Sequence, residues 1–239
     1  MEHVSWFDLF VDHHLLHGAE GHPGIGHILM ACVALVFLTI FAVLARMGLA
    51  RRQDGRIPES KLSVANVAEI AVGGLENLCE DMIGHGGKKY LWLLGSIFLY
   101  IFTSNLLGVL PGFLPPTDNV NTNLPIAICV FLAYNFYGLK EGGVGYLKHF
   151  MGPVLFLAPL MIVIEVISHL VRPASLTIRL YGNIFGDHLV LGIFSDMVPL
   201  VVPVIFLALG IFVSFIQAFV FTLLSMVYVA LATAHHEDH

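Results

Sequence analysis

Charge is scarce in this sequence. Only 12% of its 239 residues are Asp, Glu, Lys or Arg, about half the share of an ordinary soluble domain. With 57% hydrophobic residues and a mean hydropathy of +0.85, the chain falls outside the soluble globular class. Cysteine is also rare: Cys32, Cys79 and Cys129 form neither a CxxC pair nor a Cys/His ligand spacing. That argues against disulfides and thiolate metal sites, and the three thiols are expected to be buried. HExxH is absent, and Glu165 and His169 stand in the wrong order for it, which leaves no zinc-hydrolase motif. The P-loop pattern GxxxxGK[ST] is missing as well, because Met82 occupies the first glycine position before Gly87-Lys88. No cofactor, metal or nucleic acid is expected. No basic n-region precedes the first apolar run and no small-residue cleavage site follows it, so that run is expected to be retained. What remains is an all-α polytopic membrane protein.

The first 27 residues form a polar tail containing His13, His14, His17, His22 and His27. Such a tail can bind a metal or simply lie outside the membrane, and the second is the expectation. Residues 28–47 supply the first span. Basic residues then set the topology. Arg46, Arg51, Arg52, Arg56 and Lys61, with Lys88, Lys89, Lys140 and Lys148, mark the cytoplasmic side, and the loop 111–123 contains no Lys or Arg. By the positive-inside rule the N-terminus is outside, and the spans 90–111 and 124–139 go out and come back. The loop between them holds Pro115, Pro116, Asp118, Asn119, Asn121 and Asn123, ordinary turn chemistry that could equally line a polar vestibule.

Between these regions, residues 62–84 must stay on one face of the membrane. Glu69, Glu76 and Glu80 share one side of a helix there, opposite Val64, Val67, Ala71, Leu75, Leu78 and Met82. The pattern suits an amphipathic helix in the interface, or one whose apolar face a partner helix covers. Two apolar segments close the chain, 151–194 and 199–234. Each is longer than a hydrocarbon core of about 30 Å requires. Either they are long tilted helices, or the first breaks into upright spans at Arg172-Pro173.

The segment 151–194 carries the anomaly. An arginine at bilayer depth costs from about 3 to above 10 kcal/mol, depending on the reference, and persists only where it faces protein, water or a counter-charge. At 100° per residue, His169, Arg172, Arg179, Asn183 and Asp187 fall within about 40° of Glu165, while His188 lies about 140° away. This is a polar seam on an apolar helix. A secondary ion transporter or channel would also use such a cluster, although no internal repeat is visible.

The stretch from Glu165 through Ser168, His169, Arg172-Pro173, Ser175 and Arg179 to Gly182-Asn183, together with Gln217-Ala-Phe-Val-Phe-Thr-Leu-Leu, closely resembles subunit a of the ATP synthase Fo sector. Weaker similarity extends over the whole chain, including Asn105 to Pro111 and Asn121 to Asn123. The resemblance implies a non-catalytic stator subunit with one N-terminal span, an interfacial helix, two upright spans and a final pair of long tilted helices. Its partners would be the c-ring of subunit c, the peripheral-stalk subunit b, the remaining F-type ATP synthase and the lipid bilayer. It would sit in the cell inner membrane with its C-terminus cytoplasmic.

By the same resemblance, Arg179 separates two aqueous half-channels, Gln217 faces it from the last helix, and Glu165 and Ser168 line a proton path. Asn183 follows one turn after Arg179 and can orient it. Without the resemblance, plain hydrogen bonding between helices would serve for Asn183 and Gln217. The pair Gly182 and Gly186 suits close helix packing. One departure stands out. Family members often place an acid or histidine nine positions after the arginine, paired with a residue seven before the glutamine, and here those places hold His188 and Gly210. His188 is expected to line the non-cytoplasmic half-channel, with Asp187 or Glu165 as the nearby acid and with space for water where Gly210 lacks a side chain.

The charge pattern makes a direct test possible. In a background lacking native cysteines, Asn119→Cys and Thr233→Cys should react with impermeant maleimide from opposite sides of the membrane. Labelling of both from the same side would favour the six-span arrangement with a loop at Pro173.

Overall fold

The structure, a computed structural model, describes residues 26–50, 63–84, 86–110, 113, 115–149, 158–197 and 201–233. Among these residues every regular element is helical. This follows from the solvent the composition demands: hydrocarbon offers the backbone no hydrogen-bond partner, and a helix satisfies its own ladder. The histidines of the tail before His27 lie outside the described residues.

The chain divides into two compact units, Met1–Pro116 and Thr117–His239. In the first, α1 (Gly26–Ala50) packs on α2 (Val64–Ile83) and on α3 (Leu91–Val109), and α2 also touches α3. α1 is apolar all round. Ala34 and Ala45 are buried while Leu35, Val36, Phe37, Ile40 and Val43 are exposed, as suits a helix with lipid on most sides. Small residues allow the close α1–α2 contact: a Cβ on Gly48 would come within 2.9 Å of Ala65 Cβ.

Ser63 caps α2, its hydroxyl accepting from Asn66 N at 3.4 Å. Leu75 and Cys79 are buried within the unit, whereas Val67, Ile70, Val72 and Met82 remain exposed. The apolar side of α2 is therefore divided between its own neighbours and the surroundings. Burial pushes the Cys79 thiol up to about 11, with the nearby Glu76 charge adding to the shift. After α2 the chain turns through Gly84 (φ 86°) and Gly86 (φ 98°) into a 3-10 turn, Gly87–Tyr90, conformations that favour glycine. Lys88 reaches back to Glu76 at 2.7 Å and Glu80 at 3.4 Å. Gly87 fits where no side chain can, since a Cβ there would stand 2.3 Å from the Cys79 carbonyl oxygen.

The second unit contains α4 (Val120–His149), α5 (Ala158–Met197) and α6 (Val201–Thr233), each packed on the other two. A short 3-10 turn, Pro116–Asp118, leads into α4. Asn123 Nδ2 donates to Thr117 O at 2.7 Å and Asn121 N donates to Asn119 Oδ1 at 2.9 Å, so these asparagines hold the start of the helix. Gly143, with φ 48° and ψ −132°, kinks α4 near its end.

α5 has 40 residues and α6 has 33, about 60 and 50 Å at 1.5 Å per residue. No loop interrupts α5 at Arg172-Pro173. The proline withholds one N–H from the ladder, yet the helix continues, and Thr177 Oγ1 donates to Pro173 O at 2.9 Å. Five helical segments in the described residues are long and apolar enough to cross a membrane, within Gly26–Ala50, Gly87–Val109, Val120–Gly143, Pro159–Phe194 and Val204–Thr233. α2 is not among them. One expectation needs correcting: Cys79 is buried, but Cys32 and Cys129 are exposed. An apolar run in a membrane protein can face lipid as readily as protein, because lipid tails are as apolar as leucine.

The turn after α2 generates a test. With Cys32 and Cys129 replaced by serine, Cys79 should react slowly with maleimide at pH 8, being both protonated and covered. Gly87→Ala should accelerate that labelling and lower the melting temperature, the strain being about 1–3 kcal/mol. Gly74→Ala, where a Cβ meets nothing within 4 Å, should do neither.

Candidate functional site

α5 presents one face to α4 and α6. His169, Leu176, Thr177, Leu180 and Ile184 are buried along it, spaced as one helical face requires. Of the polar residues of the sequence seam, His169 joins this buried strip and the others run beside it. Glu165, Ser168, Arg172, Arg179 and Asp187 are half-buried, and Asn183 is exposed. The side chain of His188 lies outside the described side chains.

Two polar centres result. The first joins α5 to α6: Asn183 Nδ2 donates to Gln217 Oε1 across 34 residues of chain. Gln217 is 4% exposed, and its Nε2 is buried without a hydrogen-bond partner among the described residues. One turn before Asn183, Arg179 makes no hydrogen bond or ion pair with a described residue. The local inventory is unbalanced. A guanidinium carries five N–H donors and no acceptor and the Gln217 amide adds two more, against which the Asn183 amide sets the single oxygen Oδ1. The group that would balance this centre is an acceptor, best an anionic one.

The second centre lies toward the start of α5. His169 Nδ1 is 3.0 Å from Glu165 O and 3.3 Å from Glu165 Oε1. The His169 ring centroid is 5.9 Å from that of Tyr134 and 6.5 Å from that of Phe131, both on α4. The Arg172 guanidinium stands 5.7 Å from the Tyr134 ring and 5.1 Å from the Tyr228 ring on α6, the two tyrosines being 5.9 Å apart. Three helices thus meet around one cation. Tyr134 and Tyr228 are absent from the sequence-based site, since nothing in their spacing tells which helix they face. His169 and Arg172 are visible on the seam, and the four-residue step from Glu165 to His169 is the available signal.

The pairing expected of His188 needs a correction. Glu165 and His188 lie 23 residues apart on one unbroken helix, about 35 Å at 1.5 Å per residue. Glu165 is therefore excluded as its nearby acid, and Asp187 is the candidate that remains. Ser168 stands one residue before His169 with no side-chain hydrogen bond to a described residue. Among the described residues no three His, Cys, Asp or Glu side chains converge on a metal-binding arrangement.

The Asn183–Gln217 bond can be weighed by a double-mutant cycle. Asn183→Leu strips the partner from a buried amide, at a cost of about 1–3 kcal/mol. The double change with Gln217→Leu should cost less than the sum of the single changes, with a coupling of about 0.6–1.7 kcal/mol in unfolding measurements. Additive effects would deny the bond.

Comparison with known proteins bears on what these centres serve. The model of the family described as ATP synthase A chain matches residues 28–230. ATP synthase subunit a of Bdellovibrio bacteriovorus is 49% identical over 222 residues, covering 91% of this chain and 96% of that protein. Its counterpart in Trichlorobacter lovleyi is 43% identical over 224 residues, 93% of each chain. That of Geotalea daltonii is 42% identical over 229 residues, 96% of each. With a family match across nearly the whole chain and five helices able to span a membrane, this multi-pass membrane protein belongs to the ATP synthase subunit a family.

Proposed function

We propose that this chain is the stator subunit of a rotary Fo motor, providing two aqueous half-channels through which protons reach and leave carboxylates on a ring of subunit c. The observation that carries this reading is the donor-rich centre at Arg179. An anionic acceptor that no described residue provides to Arg179 is what a passing rotor carboxylate supplies. The guanidinium attracts the ionised carboxylate yet cannot deprotonate, so it offers no relay between the two sides. Asn183 and Gln217 hold each other beside it and set where the carboxylate can stop.

Glu165 and Ser168 line one path, and His188 with Asp187 lines the non-cytoplasmic one. Each charge that crosses 100 mV yields about 2.3 kcal/mol, and several per turn accumulate to the cost of making ATP on the catalytic subunits. This chain performs no covalent chemistry. Subunit b of the peripheral stalk holds it against rotation, in the cell inner membrane, with the N-terminus outside and the C-terminus cytoplasmic.

Arg179→Ala in the assembled complex should abolish ATP-driven proton pumping and ATP synthesis without preventing assembly. Arg179→Lys should fail too, because an ammonium lacks the planar fork and can lose its proton when buried. Pumping at the parental rate in the Arg179→Ala complex, measured by fluorescence quenching in vesicles, would overturn the assignment.

A further inference from the structure

We infer that His169 is a proton-carrying residue of the path that Glu165 enters, passing protons between the Glu165 carboxylate and the interior of the α4–α5–α6 unit. This rests on the reading of Glu165 as a member of that path. The geometry has three parts. His169 Nδ1 faces two oxygens of Glu165, the backbone carbonyl at 3.0 Å and the carboxylate Oε1 at 3.3 Å. The carbonyl alone would satisfy a structural histidine. The carboxylate adds a proton acceptor one short step away.

Exposure gives the pair a direction. The Glu165 side chain is 29% exposed and that of His169 10%, so the carboxylate is the outer member and the imidazole the inner one. Proton movement balances as follows. With the proton on Nδ1, the Nε2 lone pair can accept a second proton while Nδ1–H passes to Oε1, leaving a neutral ring with its proton on Nε2 and a neutral carboxyl group. The reverse sequence runs the other way.

The ring's surroundings also fit this use. Charged and titratable groups reach it from all three helices: Glu165 and Arg172 from α5 itself, Tyr134 from α4, and Tyr228 from α6 through its contacts with Tyr134 and Arg172. Tyr134 and Phe131 fix the plane of the imidazole. Arg172 is a positioning residue: its guanidinium holds Tyr134 and Tyr228 together and keeps a fixed positive charge behind the aromatic wall.

The test uses the whole complex in vesicles, reading ATP-driven proton pumping from pH 5.5 to 9. His169→Asn keeps an amide near the Nδ1 position but cannot take up a proton. It should slow pumping about ten-fold and remove the inflection that a histidine gives between about pH 5 and 8. In His169→Ala, added imidazole should restore pumping in proportion to its concentration. A His169→Asn complex that assembles and pumps with the parental pH profile would overturn the inference, as would a slow His169→Ala complex that imidazole does not rescue. Glu165→Gln, measured in parallel, separates the two levels. If it slows pumping while both histidine variants behave like the parent, Glu165 remains on the path and only His169 is excluded. If Glu165→Gln also pumps like the parent, the path reading itself fails.

Discussion

Hydrocarbon supplies no hydrogen-bond partner, and each polar group that enters it must bring its own. The backbone does this by forming helices. Many side chains do it by folding back on their own helix: Thr39 donates to Leu35 O, Asn135 to Phe131 O, Thr177 to Pro173 O, Ser225 to Phe221 O and Thr233 to Val229 O, all at 2.7 to 2.9 Å. Those bonds satisfy a polar group without joining two helices. The Asn183–Gln217 bond differs in kind, because it ties α5 to α6 and leaves a buried donor over. A polar group that reaches across helices and stays incompletely paired costs more than one that folds back. Its place one turn from Arg179 gives that cost a use.

The two arginines of α5 show the same constraint resolved in opposite ways. Arg172 and Arg179 are seven residues apart, nearly on one face, and both are half-buried. Arg172 lies against two tyrosine rings from two other helices, contacts worth from about 0.5 kcal/mol each when exposed to about 2 when desolvated. It is supported from within and helps to fasten the unit. Arg179 has no described residue to pair with. A guanidinium left without a partner among the described residues is open to an anion from outside them, which is the condition the proposed rotor carboxylate meets.

Composition and the placement of basic residues are enough to read the helical class, the polytopic character and the unusual helix around Arg179 from the amino-acid sequence. The regular recurrence of Glu165, His169, Arg172, Arg179 and Asn183 likewise marks one side of one helix. Facing relations are not legible in this way. Apolar periodicity reveals which side of a helix avoids water, but in lipid every side can be apolar, so the contacts of Tyr134 and Tyr228 and the exposure of Cys32 and Cys129 depend on how helices pack. Pro173 is ambiguous in the sequence for a related reason. A proline always removes a hydrogen bond, and whether the helix breaks depends on the neighbours that hold it. In α5 the buried strip continues on both sides, from His169 to Leu176, Leu180 and Ile184, and the helix continues with it.

That continuity has a geometric consequence for transport. Glu165 and Asp187 are 22 residues apart on α5, about 33 Å along its axis, close to the thickness of the hydrocarbon core. Arg179 falls between them, about 21 Å from the first and 12 Å from the second. One unbroken helix therefore carries polar groups near both ends and, between them, a cation that no described residue pairs. On its buried face Leu176, Leu180 and Ile184 are apolar, and the Thr177 hydroxyl between them is turned back onto the Pro173 carbonyl of its own helix. On the proposed reading, a proton entering beside either acid meets Arg179, whose guanidinium cannot relay it, before reaching the other, and it crosses only when a rotor carboxylate carries it around. A group that attracts the carboxylate but passes no proton is then as necessary to coupling as the polar groups on either side of it, since a continuous relay would let protons run through without turning the ring.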